Sequence, residues 1–319
     1  MQDLTYTKLI NQTLNLYFQE EYQRAYNFIT DNAPLVKGNL AQYYNFRYAI
    51  ACKVGKIELA LTLFREAVME HGFWYSYQYL MGDEDLKDLH VYPEFETLVH
   101  ICKEREEIAK KRSQSDMKII MSKNGVMLKD KPATLVMALH GDQQNSDMTA
   151  PYWSSLVLDS RLLALPQSSQ IEFSDAYSWS DLEQGTRELS IQYQSLTKKY
   201  PIDQTCTILG GFSAGARQAL HVVLHDKIPV KGLLFVAPWL PEIEEWSGLL
   251  DKLLEKKIRC YVICGDQDDD CYKTTLTFVK LLDHKEIPHV FIEMIGLNHD
   301  YPENFEQELM NALDYLTSE

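Results

Sequence analysis

Ser213 is the residue whose surroundings most clearly predict chemistry. It stands in Gly211-Phe212-Ser213-Ala214-Gly215, directly after the apolar run QTCTILG (204–210). A serine on a sharp strand-to-helix turn is held in a strained conformation with its Oγ outward. The residues two before and two after it must be small, because strand and helix nearly touch there. Here both of these positions, 211 and 215, are glycine. The pattern predicts a nucleophile on a tight turn, and the alternative is a glycine-rich turn without chemistry.

Residues 265–270 follow the apolar run RCYVICG (259–265) and hold four carboxylates, those of Asp266, Asp268, Asp269 and Asp270. One aspartate of such a loop can orient a histidine and stabilise its imidazolium, while the others are solvated or cap the next helix. The alternative is a calcium loop, since the acids alternate as D-x-D-x-D. That loop requires glycine and glutamate at positions where Cys271 and Thr277 stand, which argues against calcium.

His299 is the candidate base, in the loop after HVFIEMIG (289–296). The chain order of serine, aspartate and histidine is the order expected when these residues form a triad on a parallel sheet. Two other histidines compete with it. His284 sits in a helix tail and His289 at the start of a strand, the wrong end for chemistry.

The loop His140-Gly141-Asp142-Gln143-Gln144 follows the apolar run TLVMAL (134–139). A backbone N–H in this loop, paired with that of the residue after the nucleophile, can hold the oxyanion of a tetrahedral intermediate. The predicted donors are Asp142 and Ala214. A glycine turn that opens a helix predicts a similar sequence, so the oxyanion role stays one of two interpretations.

The elements that position these loops alternate between apolar runs and helical stretches. The remaining runs are RLLALP (161–166) and KGLLFVAP (231–238), and MKIIMS, Asn124-Gly125 and VMLKD predict a β-hairpin. Continuous apolar runs are typical of strands covered on both faces. The pattern predicts an α/β fold with a mostly parallel sheet of about eight strands, and reactive residues beyond the carboxyl ends of the strands.

Residues 1–113 have helical apolar spacing instead. EEYQRAYNFI (20–29) aligns with GKIELALTLF (55–64), so that Ala25 matches Ala60 and Ile29 matches Phe64. This pattern resembles tetratricopeptide repeats, which have a period of about 34 residues, and predicts pairs of packed helices. The charged segment KEREEIAKKRSQSD (103–116) marks a boundary. We therefore expect an all-α helical-hairpin domain at 1–113 and a catalytic domain at 114–319.

The four loops together resemble the α/β-hydrolase superfamily. Within it, LHG…GGFSAG…GDQD…NH is similar to the carboxylesterase, phospholipase and acyl-protein thioesterase group and to feruloyl esterases and polyhydroxybutyrate depolymerases. The resemblance covers about residues 115–319. It implies Ser213 as nucleophile, Asp268 as the acid of G-x-x-D and His299 as base, and it suggests Trp179 as a pocket wall. The HGDQQ loop and Ala216 depart from the commoner glycine-rich forms.

Composition excludes several function classes. The formal net charge is -15, so nucleic acid and anionic membranes are unfavourable partners. We expect no secretory signal, no membrane span and no disulfide framework, and hence a reducing, cytoplasmic location. The sequence contains no glycine-rich motif of the kind that binds phosphate groups, so it predicts no cofactor. His221 and His225 are four apart on one helix face, but Val222 stands where a metalloprotease has glutamate, so the sequence predicts no metal.

The chemistry predicted is that of a serine hydrolase acting on small-molecule carboxylic esters or thioesters through an acyl-enzyme. Two alternatives stay open, a serine peptidase of prolyl-oligopeptidase type and a non-catalytic binding module on a hydrolase fold. For the N-terminal helices the sequence leaves three roles open: binding a protein partner, contacting a second copy of the chain, or covering the active site as a lid.

Overall fold

A computed structural model describes residues 4–121, 132–157 and 161–318. Contacts within the chain divide it into two compact units. The first unit holds the residues up to Ser113 together with Ile171–Ala176. The second holds Gln114–Gln170 and the residues from Tyr177 onward.

The first unit is helical, as predicted. Its helices are α1 (Tyr6–Phe18), α2 (Tyr22–Asn32), α3 (Leu40–Lys53), α4 (Ile57–Arg65), α5 (Tyr77–Gly82) and α6 (Pro93–Arg112). Helix α1 packs on α2 and α3 packs on α4. The aligned residues occupy equivalent places in these two pairs, because Ala25 and Ile29 lie in α2, Ala60 and Phe64 lie in α4, and all four are fully buried. The small alanine allows close helix approach while the larger side chain one turn later fills the space beside it.

Ile171–Ala176 complete the core of the helical unit, although they lie far along the chain from its helices. Ser174 is the centre of this contact. Its Oγ accepts a hydrogen bond from the backbone N–H of Trp74 at 2.8 Å, and its carbonyl oxygen accepts one from the side chain of Asn39 at 3.0 Å. The ring of Phe173 stacks on that of Tyr75, with centroids 6.1 Å apart.

The second unit contains a parallel sheet with one antiparallel edge strand. The strands of the chain are β1 (Asp116–Met121), β2 (Ala133–Leu139), β3 (Arg161–Gln167), β4 (Ile171–Phe173), β5 (Ala176–Tyr177), β6 (Ile202–Phe212), β7 (Gly232–Val236), β8 (Arg259–Gly265) and β9 (His289–Met294). The described residues give seven strands in the order β1-β3-β2-β6-β7-β8-β9, against about eight expected, and β4 and β5 form a separate pair. Within the described part of the seven-stranded sheet, β1 alone runs antiparallel, beside β3. The predicted hairpin turn at Asn124-Gly125 and its second arm lie outside the described residues.

Both faces of this sheet are covered by helices. They are α7 (Ser146–Trp153), α8 (Leu182–Lys199), α9 (Ala214–Leu224), α10 (Asp251–Glu255), α11 (Tyr272–His284) and α12 (Phe305–Thr317). Alternate residues of β2 enter two different cores: Met137 packs in the cluster that contains Leu220 of α9, and Val136 in the cluster that contains Leu309 of α12. This double burial explains why the central strands read as unbroken apolar runs.

No helix among the described residues combines the length and the apolar character that crossing a lipid bilayer requires.

Candidate active site

The turn between β6 and α9 holds Ser213 in a strained backbone conformation. Its φ is 54° and its ψ is -121°, in a region that side-chain-bearing residues rarely adopt. The turn is held from outside, because the N–H of Ser213 donates to the carbonyl of Val236 at 3.0 Å and its own carbonyl accepts from the N–H of Trp239 at 3.3 Å. This is the geometry of a serine presented between a strand and a helix.

The two glycines around Ser213 are required by backbone contact. A Cβ on Gly211 would lie 2.7 Å from the carbonyl carbon of Gly215 and 2.9 Å from the oxygen of Leu139. A Cβ on Gly215 would lie 2.4 Å from the oxygen of His140. Because these neighbours are backbone atoms that cannot swing away, only glycine fits at either position.

Asp268 and His299 come together from the loops after β8 and β9. The distance from His299 Nδ1 to Asp268 Oδ2 is 2.7 Å, and Asp268 is only 1% exposed. The other carboxylate oxygen, Oδ1, accepts a hydrogen bond from the N–H of Cys271 at 3.1 Å. A carboxylate held in this way keeps the proton of a neutral imidazole on Nδ1 and leaves the Nε2 lone pair available as a base.

Burial separates the four carboxylates that the sequence left competing. Asp268 is the buried one and contacts His299, whereas Asp269 and Asp270 are exposed. Asp266 is partly buried and accepts a hydrogen bond from the N–H of Gly296 at 2.6 Å, which ties the loop after β8 to the end of β9. Asp266 therefore has a structural partner of its own.

Phe212 links the serine turn to the histidine. Its ring packs against the imidazole of His299 with centroids 4.8 Å apart, and against the ring of Tyr301 with centroids 4.7 Å apart. The Ser213 hydroxyl makes no hydrogen bond to a side chain in the described parts of the chain. Hydrogen bonds between nucleophile and base often tighten only when substrate binds, so this arrangement is compatible with a catalytic role.

The predicted oxyanion donors lie on two different loops. The N–H of Ala214 is at the first position of α9, where a helix has no acceptor of its own for it. Asp142 is exposed, so its carboxylate is not packed into the interior of the protein. The N–H of the preceding Gly141 is already bound by the side chain of Gln144, at 3.1 Å.

His140 supports the loop that carries Asp142. Its Nδ1 donates to the carbonyl of Gly141 at 2.8 Å, and its Nε2 accepts from the N–H of Ser168 at 3.3 Å. These partners fit the neutral tautomer with the proton on Nδ1. Complete burial lowers the pKa of His140 to about 4, so the ring is neutral at pH 7.

Trp179 corrects one prediction from the sequence. We expected it in the wall of a pocket, but it is 1% exposed and lies beneath the oxyanion loop. Its indole N–H donates to the carbonyl of His140 at 2.9 Å, and its ring stacks on the imidazole of His140 with centroids 4.8 Å apart. Trp239 is nearer to the role proposed for Trp179, because it is 39% exposed and its backbone contacts Ser213.

Cys271 is a neighbour of the site that the sequence did not reveal. Its Sγ lies 3.5 Å from Nδ1 of His299, and the residue is 1% exposed. Burial raises the pKa of the Cys271 thiol well above its usual range. The thiol is therefore protonated at neutral pH and adds no second negative charge beside His299. Its place three residues after Asp268, just before α11, was the available signal.

Comparisons with known proteins agree with this architecture. Residues 5–110 match a family model described as an α/β-hydrolase-like N-terminal domain. An uncharacterised protein from Bacillus cereus ATCC 10987, solved by crystallography, is 46% identical over 98% of this chain and 99% of its own, with a TM-score of 0.56. A search among curated proteins gives no significant match.

Two more distant structures resemble part of this chain in fold. Esterase PE8 is 17% identical, covers 64% of this chain and 99% of its own, and has a TM-score of 0.52. A ferulic acid esterase is 16% identical, covers 64% of this chain and 91% of its own, and has a TM-score of 0.50. Together with the parallel sheet and the N-terminal match, these likenesses show that the chain has an α/β-hydrolase fold with a helical N-terminal domain.

Proposed function

We propose that this protein is a serine hydrolase that cleaves carboxylic esters or thioesters through an acyl-enzyme on Ser213. The observation that carries the proposal is the 2.7 Å hydrogen bond between the buried Asp268 and His299. The imidazole of His299 packs against Phe212, the residue before the strained Ser213. We propose residues 114–319 as the catalytic domain and 1–113 as the helical domain.

In the proposed reaction, Ser213 Oγ attacks the carbonyl carbon while Nε2 of His299 takes the hydroxyl proton. The N–H groups of Asp142 and Ala214 stabilise the negative charge on the carbonyl oxygen. His299 then gives its proton to the leaving alcohol or thiol, which departs and leaves the acyl group on Ser213. Water repeats the sequence with His299 as base and releases the carboxylic acid. Asp268 holds the imidazole in the required tautomer throughout.

The proposed substrates are small molecules, and the proposed compartment is the cytoplasm. Support for a reducing compartment comes from the six cysteines, all of which carry free thiols and five of which are buried. The role proposed for the N-terminal helices, contact with a partner protein or with a second copy, stays a prediction.

Labelling with a fluorophosphonate probe and mapping of the modified peptide test the proposal directly. We expect one adduct, on Ser213, and none in Ser213→Ala. Ser154→Ala is the matched control, because Ser154 is exposed and lies outside the site, and it should label like the unchanged protein. Absence of an adduct in protein that melts cooperatively would overturn the proposal in favour of a binding module.

A substrate panel separates esterase from peptidase. The panel compares p-nitrophenyl esters, acyl thioesters and aminoacyl amides at matched acyl groups. We expect kcat/KM for the esters and thioesters to exceed that for the amides, because amide cleavage demands much better protonation of the leaving group. Preferential turnover of the amides would favour the prolyl-oligopeptidase alternative.

A further inference from the structure

A group of three metal-ligating side chains lies between α8 and α9, outside the proposed triad. Glu183 is in the first turn of α8, and His221 and His225 are at the end of α9. One ligand atom from each of the three lies within 4.8 Å of the others. The spacing of the two histidines is visible in the sequence, but the carboxylate comes from a different helix.

The distance between His221 and Glu183 is longer than a hydrogen bond and is compatible with a shared ion. Nε2 of His221 is 3.6 Å from Oε1 of Glu183. That is beyond the usual length of an N–H···O hydrogen bond. Two ligands each about 2.0–2.1 Å from one zinc ion are about 3.3 Å apart at the tetrahedral angle and about 3.6 Å apart when the angle opens to about 120°.

Both imidazoles are held through Nδ1. Nδ1 of His225 donates to the carbonyl of His221 at 2.9 Å, which puts its proton on that atom and leaves a lone pair on Nε2. Nδ1 of His221 is hydrogen-bonded to Oγ1 of Thr186 at 2.9 Å. Thr186 is one helical turn after Glu183, so two side chains of α8 contact the His221 ring, Thr186 at Nδ1 and Glu183 at Nε2. Anchoring of a ligand histidine through its second nitrogen is the usual arrangement around bound metals.

The surrounding charges permit a cation. Arg217 is one turn before His221, but its guanidinium pairs with the carboxylate of Glu242 through two hydrogen bonds, one of them 2.9 Å long. Glu183 is largely exposed, which leaves a path for an ion to enter. The net charge of -15 also favours cations near the surface.

We infer that Glu183, His221 and His225 form a binding site for a divalent transition-metal ion, with zinc the best match to two imidazoles and one carboxylate. The ion would join the start of α8 to the end of α9, the helix that begins directly after Ser213. With three protein ligands, the fourth position is left for water. The sequence predicted no metal because the metalloprotease motif requires a glutamate, the general base, directly after the first histidine. Glu183 is instead a ligand contributed by a different helix.

Zinc titration of the full-length protein tests the site. Protein stripped with EDTA and dialysed is titrated with Zn²⁺ by calorimetry, and its melting temperature is followed in parallel. We expect one equivalent bound per chain and, at about 100 times Kd, a melting temperature raised by about 5–10 °C. Glu183→Gln and His225→Ala should each weaken binding at least tenfold. His100→Ala is the control, since His100 is an exposed histidine paired with Glu104 at 3.3 Å, and it should bind zinc normally.

The competing location is the group Asp268, Cys271 and His299, whose ligand atoms also lie within 4.8 Å of one another. Cobalt(II) substitution separates the two sites, because only the second would give a thiolate-to-cobalt charge-transfer band. Binding that survives Glu183→Gln and His225→Ala but disappears in Cys271→Ala would overturn the inference. So would the absence of stoichiometric binding in folded protein.

Discussion

Acid should destabilise this protein through His140. The ring is fully buried, and its Nε2 accepts a hydrogen bond from the N–H of Ser168, so a proton added to Nε2 would set two donors against each other. The pKa is about 4 in the folded protein, against an ordinary value of about 6.5. Because the unfolded chain binds this proton more tightly, the stabilisation is complete above about pH 6.5 and is lost as the pH falls towards 4.

The size of the effect follows from the pKa difference. One pKa unit corresponds to about 1.4 kcal/mol, so the full loss is about 3 kcal/mol, of which about 2 kcal/mol is lost by pH 5. At about 2–4 °C per kcal/mol for a domain of this size, that amounts to about 4–8 °C in melting temperature.

The assay compares the unchanged protein with His140→Gln, which cannot titrate, at pH 7.5 and pH 5. Other groups lower both melting temperatures, but the unchanged protein should fall by the additional 4–8 °C or so. His284→Gln, at an exposed histidine of α11, should follow the unchanged protein. An equal fall in all three proteins, or an NMR titration of His140 near pH 6.5, would refute the reasoning.

Three further predictions concern single contacts. Gly215→Ala should abolish the proposed esterase activity and lower the free energy of unfolding by about 1–3 kcal/mol, because the new Cβ meets backbone oxygens. Gly248→Ala, where a Cβ meets nothing within 4 Å, should change neither, and activity retained in Gly215→Ala would contradict the tight turn. Asp268→Asn should lower kcat by about 10⁴ through the wrong imidazole tautomer, while Asp269→Asn in the same loop should leave kcat unchanged; equal effects would remove the special role of Asp268. Asn39→Ala should destabilise the helical unit by about 1–2 kcal/mol in urea unfolding, because Asn39 caps α3; no change would mean that water replaces the cap.

The strands and their terminal loops could be predicted because burial on both faces leaves a strong local signal. RCYVICG, for example, corresponds to β8 residue for residue. The helical character of residues 1–113 could be predicted equally well, since Ala60 and Phe64 follow helical spacing.

Features that depend on contacts between distant segments were not predictable. The sequence could not say which of the four aspartates is buried, because Asp268 is held by Cys271 and by His299, and His299 comes from the loop after a different strand. Trp179 shows the same limit. An indole can line a pocket or pack beneath a loop, and only its hydrogen bond to the carbonyl of His140 shows that Trp179 does the second. Glu183 joins His221 across two helices, which no spacing along the chain reports.

Residues 171–176 also have a consequence for the order in which this protein can be made and folded. During synthesis the helices up to Ser113 emerge first, but Phe173 and Ser174, which pack against Tyr75 and bond Trp74, do not yet exist. At about 5–20 residues per second, the 63 residues from 114 to 176 take roughly 3–13 s to add. For that time the core of the helical unit lacks the contacts of Phe173 and Ser174, while the first strands of the second unit leave the ribosome. A gene fragment ended at Ser113 would make that state permanent.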